Sequence, residues 1–558
     1  MNVAVTYNRM AQALLVVGPL ASLAVSPNTS FDPISLIKVV IIASIAFYCL
    51  GLLLSSARYS AKRLGNFFWL SAGLFILSML STFFFSGAPI NQQFWGTFGR
   101  NTGFLTYLSL VLILISTALI QKAEFYNRLV NSIIITALPM TIYCLVQIAG
   151  LDPVAWSEKS PFGTLGNINF SSAFFGFSSI CATILILEKK FSIVLRICFF
   201  ILVLIDMGIV LKTGSIQGFM VFIAAIGISI LLFLRSKESL RILRIPYILL
   251  GIFGVIFVVL GLSNKGPFAK FLFAPSIVFR TDYWNAGWQM TLNKPFFGVG
   301  LDSYGDWYRN ARGVISTLRT GPDRVANTAH NIFLDISSNG GVPLLTAYLA
   351  LNFIAFRASV RILKRDTSFQ PYFVAIFCTW FGYIIFSAIS INQVGVGIWG
   401  WLFTGALIGY EKIDRISVNQ RQTIKSKRFK KGSSLSPVAG ISAFTSLVVG
   451  FTLSYIPFNA DVKYKNALNR GAMDGIIQST QTLGSTGFHT EMALDIAIKN
   501  NFTSQIDLLT RQLVKNYPLD FMGWRAMLLL QSTTSEEKVK ATEMIQSLDP
   551  FNPGIPKS

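Results

Sequence analysis

The residues best suited to acid–base chemistry surround His330, one of only two histidines in the chain. Asn331 follows it directly, and Asp335 lies four residues after Asn331 in an otherwise apolar stretch. On a helix this spacing places both side chains on one face, which extends a polar strip away from the histidine. An imidazole titrates near neutral pH, so it can transfer a proton or hydrogen-bond to phosphate. A lone histidine is usually structural, but ionisable groups that enter an apolar segment are costly and favour a catalytic function for His330.

A second group combines one arginine with aromatic residues. Arg280, Trp284 and Trp288 are spaced four apart, so a helix places each successive pair on one face. Arginine can bind a phosphate through two hydrogen bonds, and aromatic rings can stack on sugars. Tyr304 follows in the same stretch of chain. An amphipathic helix with a belt of Trp and Tyr at a membrane surface is the alternative, and both interpretations can hold together.

Two turns rich in glycine and asparagine, residues 95–103 and 162–170, lie at helix N-termini, where free backbone N–H groups favour an anion. A third polar turn, residues 212–218, lies at the outer hinge between the seventh and eighth predicted spans. Their polar side chains include Arg100, Asn167, Asn169, Lys212 and Gln217. Ordinary helix capping, with Asn169 as the N-cap residue, is the simpler interpretation of the asparagines. Lys212 can equally anchor a helix at the membrane surface.

The sequence contains no recognisable motif for binding a metal ion or a nucleotide. The five cysteines lie in apolar stretches without CxxC spacing, which excludes a zinc ribbon, an iron–sulfur site and a disulfide scaffold. Two histidines are too few for a multi-histidine metal centre. The P-loop, dinucleotide-binding and HExxH motifs are absent. We therefore expect no metal site and no cofactor.

The apolar content decides the class of protein. Of 558 residues, 53% are hydrophobic and 13% are charged, whereas a soluble domain carries about 25% charged residues. Thirteen segments are long and apolar enough to be membrane spans. They lie near residues 11–27, 34–55, 66–86, 103–121, 129–149, 170–187, 191–211, 214–234, 245–262, 341–356, 371–390, 394–410 and 436–456. We predict an all-α fold: a polytopic transmembrane helical bundle of about 12–13 spans.

The basic residues lie mainly on one side of the predicted membrane. With the N-terminus in the cytoplasm, 24 basic and six acidic residues fall in cytoplasmic segments. The short outward loops hold only Arg100, Lys159 and Lys212 as basic residues. This distribution follows the positive-inside rule and accounts for most of the net charge of +22 without nucleic acid. It also places residues 263–330 and 457–558 outside the cytoplasm.

Two domains follow from this topology. We predict a transmembrane domain over residues 1–456, which includes the long loop (residues 263–330), and a helical module over residues 457–558, the tail. Helices are predicted in the tail at residues 467–477, 491–499 and 506–515, with a later one through 538–546. A proline turn at residues 518–520 before Trp524 is typical of tetratricopeptide hairpins. A plain helical cap and a partner-binding module fit this pattern equally well.

In their order along the chain, these motifs resemble those of the O-antigen ligase, Wzy-type polymerase and protein O-oligosaccharyltransferase superfamily of bacterial membrane glycan transferases. The matching segments are residues 163–169, Arg280 with Trp284 and Trp288, residues 295–300, the His330–Asn331 segment, and Gly340 with Gly341. Each motif is short, and the ordered set carries the resemblance. The hydropathy profile is similar to about residue 456.

The resemblance implies a metal-independent, inverting transfer of a glycan from an undecaprenyl-diphosphate carrier at the outer face of the bacterial cytoplasmic (inner) membrane. Arg280 would hold the diphosphate, and His330 would activate the acceptor hydroxyl or assist the leaving group. The implied donor-binding residues are Arg100, Lys212, Asn167, Asn169 and Gln217. The implied acceptor or sugar contacts are Trp284, Tyr304 and Asn331. Relatives commonly carry a Ser-Arg pair where this chain has Ser215 and Ile216, so we expect Lys212, Gln217 or Arg100 to supply the missing contact.

Several functions stay open at this stage. The acceptor is a lipid core, a protein side chain, or the growing glycan itself, which would make the chain a polysaccharide polymerase. The tail favours a large or protein acceptor only by analogy. From another class, a membrane transporter or flippase is the alternative, although the spans show no repeated half. A structural assembly factor is the third class of function that stays open. The expected partners are the lipid-linked glycan, its acceptor and membrane lipid, without nucleic acid.

Overall fold

The computed structural model describes residues 3–156, 159–267, 269–273, 275–420 and 435–555, which form helices and no strands. The helices are α1 (Val3–Leu23), α2 (Ser35–Ser55), α3 (Ala57–Ala61), α4 (Asn66–Phe85), α5 (Ile90–Trp95), α6 (Phe104–Leu119), α7 (Ala123–Ile148), α8 (Ile168–Leu185), α9 (Ile193–Thr213), α10 (Gln217–Ser236), α11 (Arg244–Leu262), α12 (Ala269–Leu272), α13 (Pro275–Asn293), α14 (Tyr304–Ala311), α15 (Val314–Thr320), α16 (Ile332–Arg365), α17 (Pro371–Ile389), α18 (Val394–Gln420), α19 (Pro437–Arg470), α20 (Met473–Thr480), α21 (Gly487–Lys499), α22 (Thr503–Asn516), α23 (Phe521–Leu529) and α24 (Ser535–Leu548). A short 3₁₀ helix, Glu238–Leu243, precedes α11. The predicted all-α fold is confirmed for this part of the chain.

Ten helices within the described residues are long and apolar enough to cross a membrane by length and composition. They belong to α2, α4, α7, α8, α9, α10, α11 with its 3₁₀ turn, α16, α17 and α19. The sequence predicts 12–13 spans, and the three predicted segments outside these ten coincide with α1, α6 and α18. Helix α6 is apolar but has 16 residues, fewer than the roughly 20 that a span needs. The protein is a multi-pass membrane protein by this composition.

Small residues let the central helices approach closely. Gly450 of α19 faces α2, and a methyl group added there would lie 2.7 Å from the carbonyl oxygen of Ala43. Trp399 of α18 is fully buried, and its indole N–H donates a 2.9 Å hydrogen bond to the Ser22 hydroxyl of α1. Close backbone approach and buried polar links of this kind stabilise helix packing in lipid, where the hydrophobic effect between helices is weak.

Helix α11 turns apolar side chains outward on every side. Ile245, Leu250 and Val255 are 64–70% exposed, and among the residues of α11 only Gly261 is buried. An apolar surface of this extent on a soluble protein would aggregate, whereas a lipid bilayer covers it at no cost. The exposed surface therefore fits the membrane setting that the composition predicts.

Helix α16 is interrupted near its start by Gly341. This residue adopts φ 76° and ψ 177°, and a Cβ atom there would lie 2.6 Å from the carbonyl oxygens of Pro295 and Phe296. Only glycine fits both the positive φ and the close contact. The segment of residues 295–300 docks against the break: the Val299 N–H donates to the Ser338 carbonyl at 2.8 Å. The long loop is thereby attached to both halves of α16.

The tail consists of the end of α19 followed by α20–α24. Its α21, α22 and α24 agree closely with the predicted helices, but the predicted helix over residues 467–477 is wrong as a single element. Helix α19 ends at Gly471 with φ 69°, and α20 begins at Met473. A glycine in the left-handed conformation is a common helix terminator, and it divides the predicted helix. The tetratricopeptide-like character of the tail stays a prediction, and the predicted domain boundary at residue 456 falls within α19.

A buried ion cluster joins the tail to the long loop. Asp549, which follows α24, accepts hydrogen bonds from Arg312 at 2.8 Å and from Arg309 at 3.1 Å. The Arg312 and Asp549 side chains are both completely buried. The Asn310 amide also donates to the Ser547 carbonyl at 2.7 Å. These contacts hold α14 of the long loop against the end of the chain.

Replacing Asp549 by alanine is expected to leave the buried Arg312 guanidinium without its carboxylate. Breaking a buried pair from one side costs about 3–5 kcal/mol because the remaining charge stays desolvated. We therefore expect a clear fall in the thermal unfolding temperature and faster proteolysis of the long loop. The matched control is Glu543→Ala, which removes an exposed carboxylate from α24. Equal thermal unfolding temperatures for the two variants would contradict a stabilising role for Asp549.

Candidate active site

His330 lies directly before α16 and is held in an uncommon backbone conformation. Its φ is 51°, which side chains other than glycine, asparagine and aspartate rarely adopt. Asp335, one turn into α16, fixes this turn by accepting hydrogen bonds from the Thr328 hydroxyl at 2.7 Å and the Ala329 N–H at 2.8 Å. The Thr328 hydroxyl oxygen in turn accepts from the His330 N–H at 3.0 Å. The geometry of the histidine is therefore set by a buried carboxylate that is not adjacent in sequence.

The surroundings of His330 favour its neutral form. Burial of the imidazole, with the nearby positive charges of Arg280 and Arg100, lowers its pKa to about 4. The ring lies 5.5 Å from the Tyr283 ring, measured between centroids. Among the residues that the structure describes, no side chain hydrogen-bonds to either ring nitrogen. An unprotonated nitrogen is thus free to accept a proton from a substrate hydroxyl.

Arg280 lies on α13, a helix over Pro275–Asn293, so the predicted helical spacing of Arg280 with Trp284 is confirmed. The half-buried guanidinium contributes to the low pKa of His330, so the charge of Arg280 acts on the imidazole. In the part of the chain that the structure covers, no carboxylate pairs with Arg280. Burial without a partner lowers the pKa of the guanidinium, although not enough to remove its charge. Arg280 is therefore available to an anionic ligand.

An apolar cluster positions α13 beside the histidine. It contains the buried side chains of Ala286, Met290, Val299, Tyr304, Tyr308, Ala326 and Ala329, with Tyr283 and Leu334 packed against them. The cluster joins α13, α14 and α16 to the segment before His330. Trp284 of α13 is half-buried and its indole nitrogen has no hydrogen-bond partner among the described residues. The next tryptophan on this face, Trp288, is 52% exposed.

Arg100 reaches the same region from the turn between α5 and α6. Its guanidinium forms a 3.2 Å ion pair with Asp302, and both side chains are buried. It also donates a hydrogen bond to the Asn327 carbonyl. Asp302 additionally accepts from the Thr97 N–H at 2.8 Å. Arg100 is thus largely neutralised, and it connects the transmembrane bundle to the segment that precedes His330.

Two of the residues predicted to contact acceptor or sugar make internal hydrogen bonds. Tyr304 is completely buried, and its hydroxyl donates to the Tyr283 carbonyl at 2.6 Å. Asn331 is the N-cap of α16, where its side-chain oxygen accepts from the Phe333 N–H at 3.0 Å. These bonds stabilise the turn that carries His330. A contact with substrate stays a prediction for both residues.

A second polar cluster brings together α8 and the turn between α9 and α10. The Asn167 side chain caps α8 by accepting from the Asn169 N–H at 2.8 Å, so the expectation that Asn169 is the N-cap is wrong. Asn169 instead accepts a 2.8 Å hydrogen bond from the Ser215 hydroxyl. Gln217, the first residue of α10, is buried and its side-chain oxygen has no partner among the described residues. The structure thus joins three of the predicted donor-binding residues, but shows no hydrogen bond from them to the His330 cluster within the described ranges.

Lys212 lies in the last turn of α9, beside this second cluster, and is exposed. We expect Lys212→Ala to lower the transfer rate about tenfold, because a charge-assisted hydrogen bond to phosphate contributes about 1.5–3 kcal/mol. The measurement is transfer of a lipid-linked glycan in membranes with matched protein levels. Lys237→Ala, an exposed lysine at the C-terminal end of α10, is the control. Full activity of the Lys212→Ala variant would show that Lys212 does not replace the arginine that relatives carry at the position of Ile216.

Sequence reasoning missed Asp302 and identified Asp335 without its structural role. Asp302 pairs with Arg100 across about 200 positions of sequence, and no local pattern marks it. Asp335 is marked by its spacing from Asn331, but that spacing gives no sign of its bonds to Thr328 and Ala329. Within the described residues, no group of three or more His, Cys, Asp or Glu side chains could hold a metal ion.

Residues 197–349 match the family model described as O-antigen ligase. The matched region runs from α9 into α16, and it includes Arg280 and His330. A comparison with curated proteins found no match. The family match supports the O-antigen ligase superfamily, in agreement with the resemblance drawn from the motifs.

Proposed function

We propose that this chain of the O-antigen ligase superfamily transfers a glycan from an undecaprenyl-diphosphate carrier to an acceptor hydroxyl. The arrangement that carries the proposal is the turn of His330, which Asp335 holds through Thr328 and Ala329, within electrostatic range of the unpaired cation of Arg280. A base next to a cation suits a reaction in which a hydroxyl loses a proton while a phosphate group gains negative charge.

The donor, the acceptor hydroxyl, His330 and Arg280 together account for every bond and proton that changes in the proposed reaction. The acceptor oxygen forms a bond to the anomeric carbon of the donor sugar from the side opposite the diphosphate. The carbon–oxygen bond to the diphosphate breaks, and its electron pair leaves on the carrier phosphate. His330 takes the acceptor proton, and Arg280 stabilises the charge on the leaving group. Attack from the opposite side inverts the anomeric configuration, and no metal ion is required because Arg280 supplies the positive charge.

The long loop and the tail are proposed to lie outside the cytoplasm. The distribution of basic residues supports this orientation through the positive-inside rule. A bacterial inner-membrane protein with this topology meets its lipid-linked donor in the outer leaflet. Asn167, Asn169, Gln217 and Lys212 are proposed to contact the donor there.

The acceptor is a lipid, a protein or a glycan, and the glycan case would make the chain a polymerase of the same superfamily. A transporter is the candidate from a different class. Among the described helices, Asp206 of α9 is buried between the Thr141 and Ser178 hydroxyls, with no cation bonded to it. One hydrogen-bonded carboxyl group supports a transport mechanism less well than the residues around His330 support glycan transfer.

Purified protein in proteoliposomes with an undecaprenyl-diphosphate oligosaccharide and candidate acceptors tests the proposal. We expect glycan transfer with stoichiometric release of undecaprenyl diphosphate, without added metal. Movement of the intact donor across the bilayer without release of the carrier would instead identify a flippase. Mass spectrometry of glycosylated lipids, proteins and polymers from a deletion strain identifies the acceptor.

A further inference from the structure

A cleft of about 230 Å³ lies between the tail and the long loop. Its walls come from α5 and the turn after it within residues 89–98, from residues 305–306 of α14 with Asn327, from residues 484–488 with Glu491, and from residues 517–520 before α23. This volume is somewhat below the roughly 300–1,000 Å³ of typical small-molecule sites, so the cleft suits a single small unit. None of the proposed catalytic side chains lines this cleft.

Three carboxyl groups line the cleft: Asp306, Glu491 and Asp520. No lysine, arginine or histidine is among the described residues that line it. Burial raises the pKa of Asp306 to about 7, and burial together with Asp520 raises the pKa of Glu491. Protonated and ionised carboxyl groups therefore coexist near neutral pH, so the cleft offers hydrogen-bond donors as well as acceptors.

Aromatic rings complete the lining. Trp95 is fixed by a 2.8 Å hydrogen bond from its indole N–H to the Leu453 carbonyl. Phe98 stacks on Phe488, with ring centroids 4.3 Å apart. Flat apolar faces beside polar groups suit the alternating apolar and hydroxyl surfaces of a sugar.

We propose that this cleft binds a neutral or amino-bearing saccharide unit of the acceptor. The proposal rests on the proposed function, since it assigns the acceptor side of the same reaction. The acidic lining would repel a phosphorylated or carboxylated unit. The cleft also adjoins the site through its own walls: the Asn327 carbonyl accepts from Arg100, and the Thr97 N–H donates to Asp302. A sugar held here lies against the turn that carries Arg100.

Saturation-transfer NMR on the full chain in lipid nanodiscs tests the proposal with three probes: N,N′-diacetylchitobiose, the glucosamine dimer and 3′-sialyllactose. We expect the first two to bind and the anionic third to bind at least tenfold more weakly. Glu491→Gln is expected to weaken binding of the first two up to about tenfold, because an amide replaces the O–H donor of a carboxyl group whose pKa is raised. Asp306→Asn is the second variant, and thermal unfolding checks that both are folded.

The matched control is Asp495→Asn, one turn further along α21, where a half-exposed carboxylate pairs with Lys499. Binding that is equal for all three probes, or equally weak in Asp495→Asn and Glu491→Gln, overturns the proposal. So does binding of a serine-rich peptide at these residues without saccharide binding. The inactive variant His330→Asn is expected to keep saccharide binding. Binding without any transfer by the wild type would reject the proposed function alone, and transfer without binding would reject the cleft alone.

Discussion

Replacing His330 by glycine is expected to reduce glycan transfer about 10²–10⁴-fold, the usual contribution of general acid–base catalysis. Glycine is the appropriate substitution because His330 has φ 51°, so the variant removes the imidazole without adding backbone strain. Transfer is measured with a radiolabelled or fluorescent lipid-linked glycan. Added imidazole should restore part of the rate, since it can occupy the space left by the side chain.

The pH dependence separates a catalytic histidine from a structural one. In the free protein the pKa of His330 is about 4, so the active neutral form is lost only as the pH falls through that value. Bound diphosphate would counter the positive charge of Arg280 and raise this pKa. The acid limb of kcat should therefore lie at higher pH than the acid limb of kcat/KM. Unchanged transfer in the glycine variant, or coincident acid limbs without imidazole rescue, would contradict the assigned role.

Arg280→Ala is expected to lower kcat about 10²–10³-fold, because removal of one preformed charge partner from a developing anion costs about that much. Arg280→Lys should recover only part of the loss, since lysine keeps the charge but cannot form two parallel hydrogen bonds to phosphate. Loss of the guanidinium also removes one cause of the low pKa of His330. The acid limb of kcat/KM should therefore move to higher pH in the alanine variant.

Arg319→Ala is the control for this experiment. Arg319 lies on the same long loop and pairs with Asp282 of α13 at 3.2 Å, but its side chain is 39% exposed. Exposed ion pairs contribute little to stability, so this variant should keep nearly full activity. Similar losses in the two arginine variants would mean that general disturbance of the loop, rather than diphosphate binding, explains the effect.

Hydropathy was sufficient to locate the helices of the bundle, since each predicted span overlaps a helix of the structure. Length and apolar content determine such segments locally. The breaks are harder to predict, because one depends on a distant contact and the other is hidden within an apolar pattern. Gly341 interrupts α16 where the backbone of Pro295 and Phe296 approaches it. Gly471 ends α19 by a local left-handed turn, which the apolar periodicity of residues 467–477 conceals.

The reactive groups of the candidate site stand out in the sequence, but the residues that support them do not. His330 and Arg280 were recognisable because a rare residue and an arginine–tryptophan spacing stand out in an apolar chain. Asp302 has no such context, since its partner Arg100 is about 200 residues away. Tyr304 was chosen for its type, yet its hydroxyl bonds to the Tyr283 carbonyl. Residue type indicates what a side chain can do. The long-range fold decides whether that side chain already has a hydrogen-bond partner within the protein.

The break at Gly341 has a mechanical consequence for the site. A continuous helix tilts as a rigid rod when the bilayer becomes thicker or thinner. Here the nine residues of α16 before the break follow the N-cap Asn331, contain Asp335, and are tied to the long loop by hydrogen bonds from Val299 and Gly300. The Val342 N–H, just after the break, donates to the Pro295 carbonyl at 2.7 Å, so the long loop is bonded on both sides of the break. A change in the tilt of α16 is therefore expected to reach the long loop directly rather than through the helix start alone.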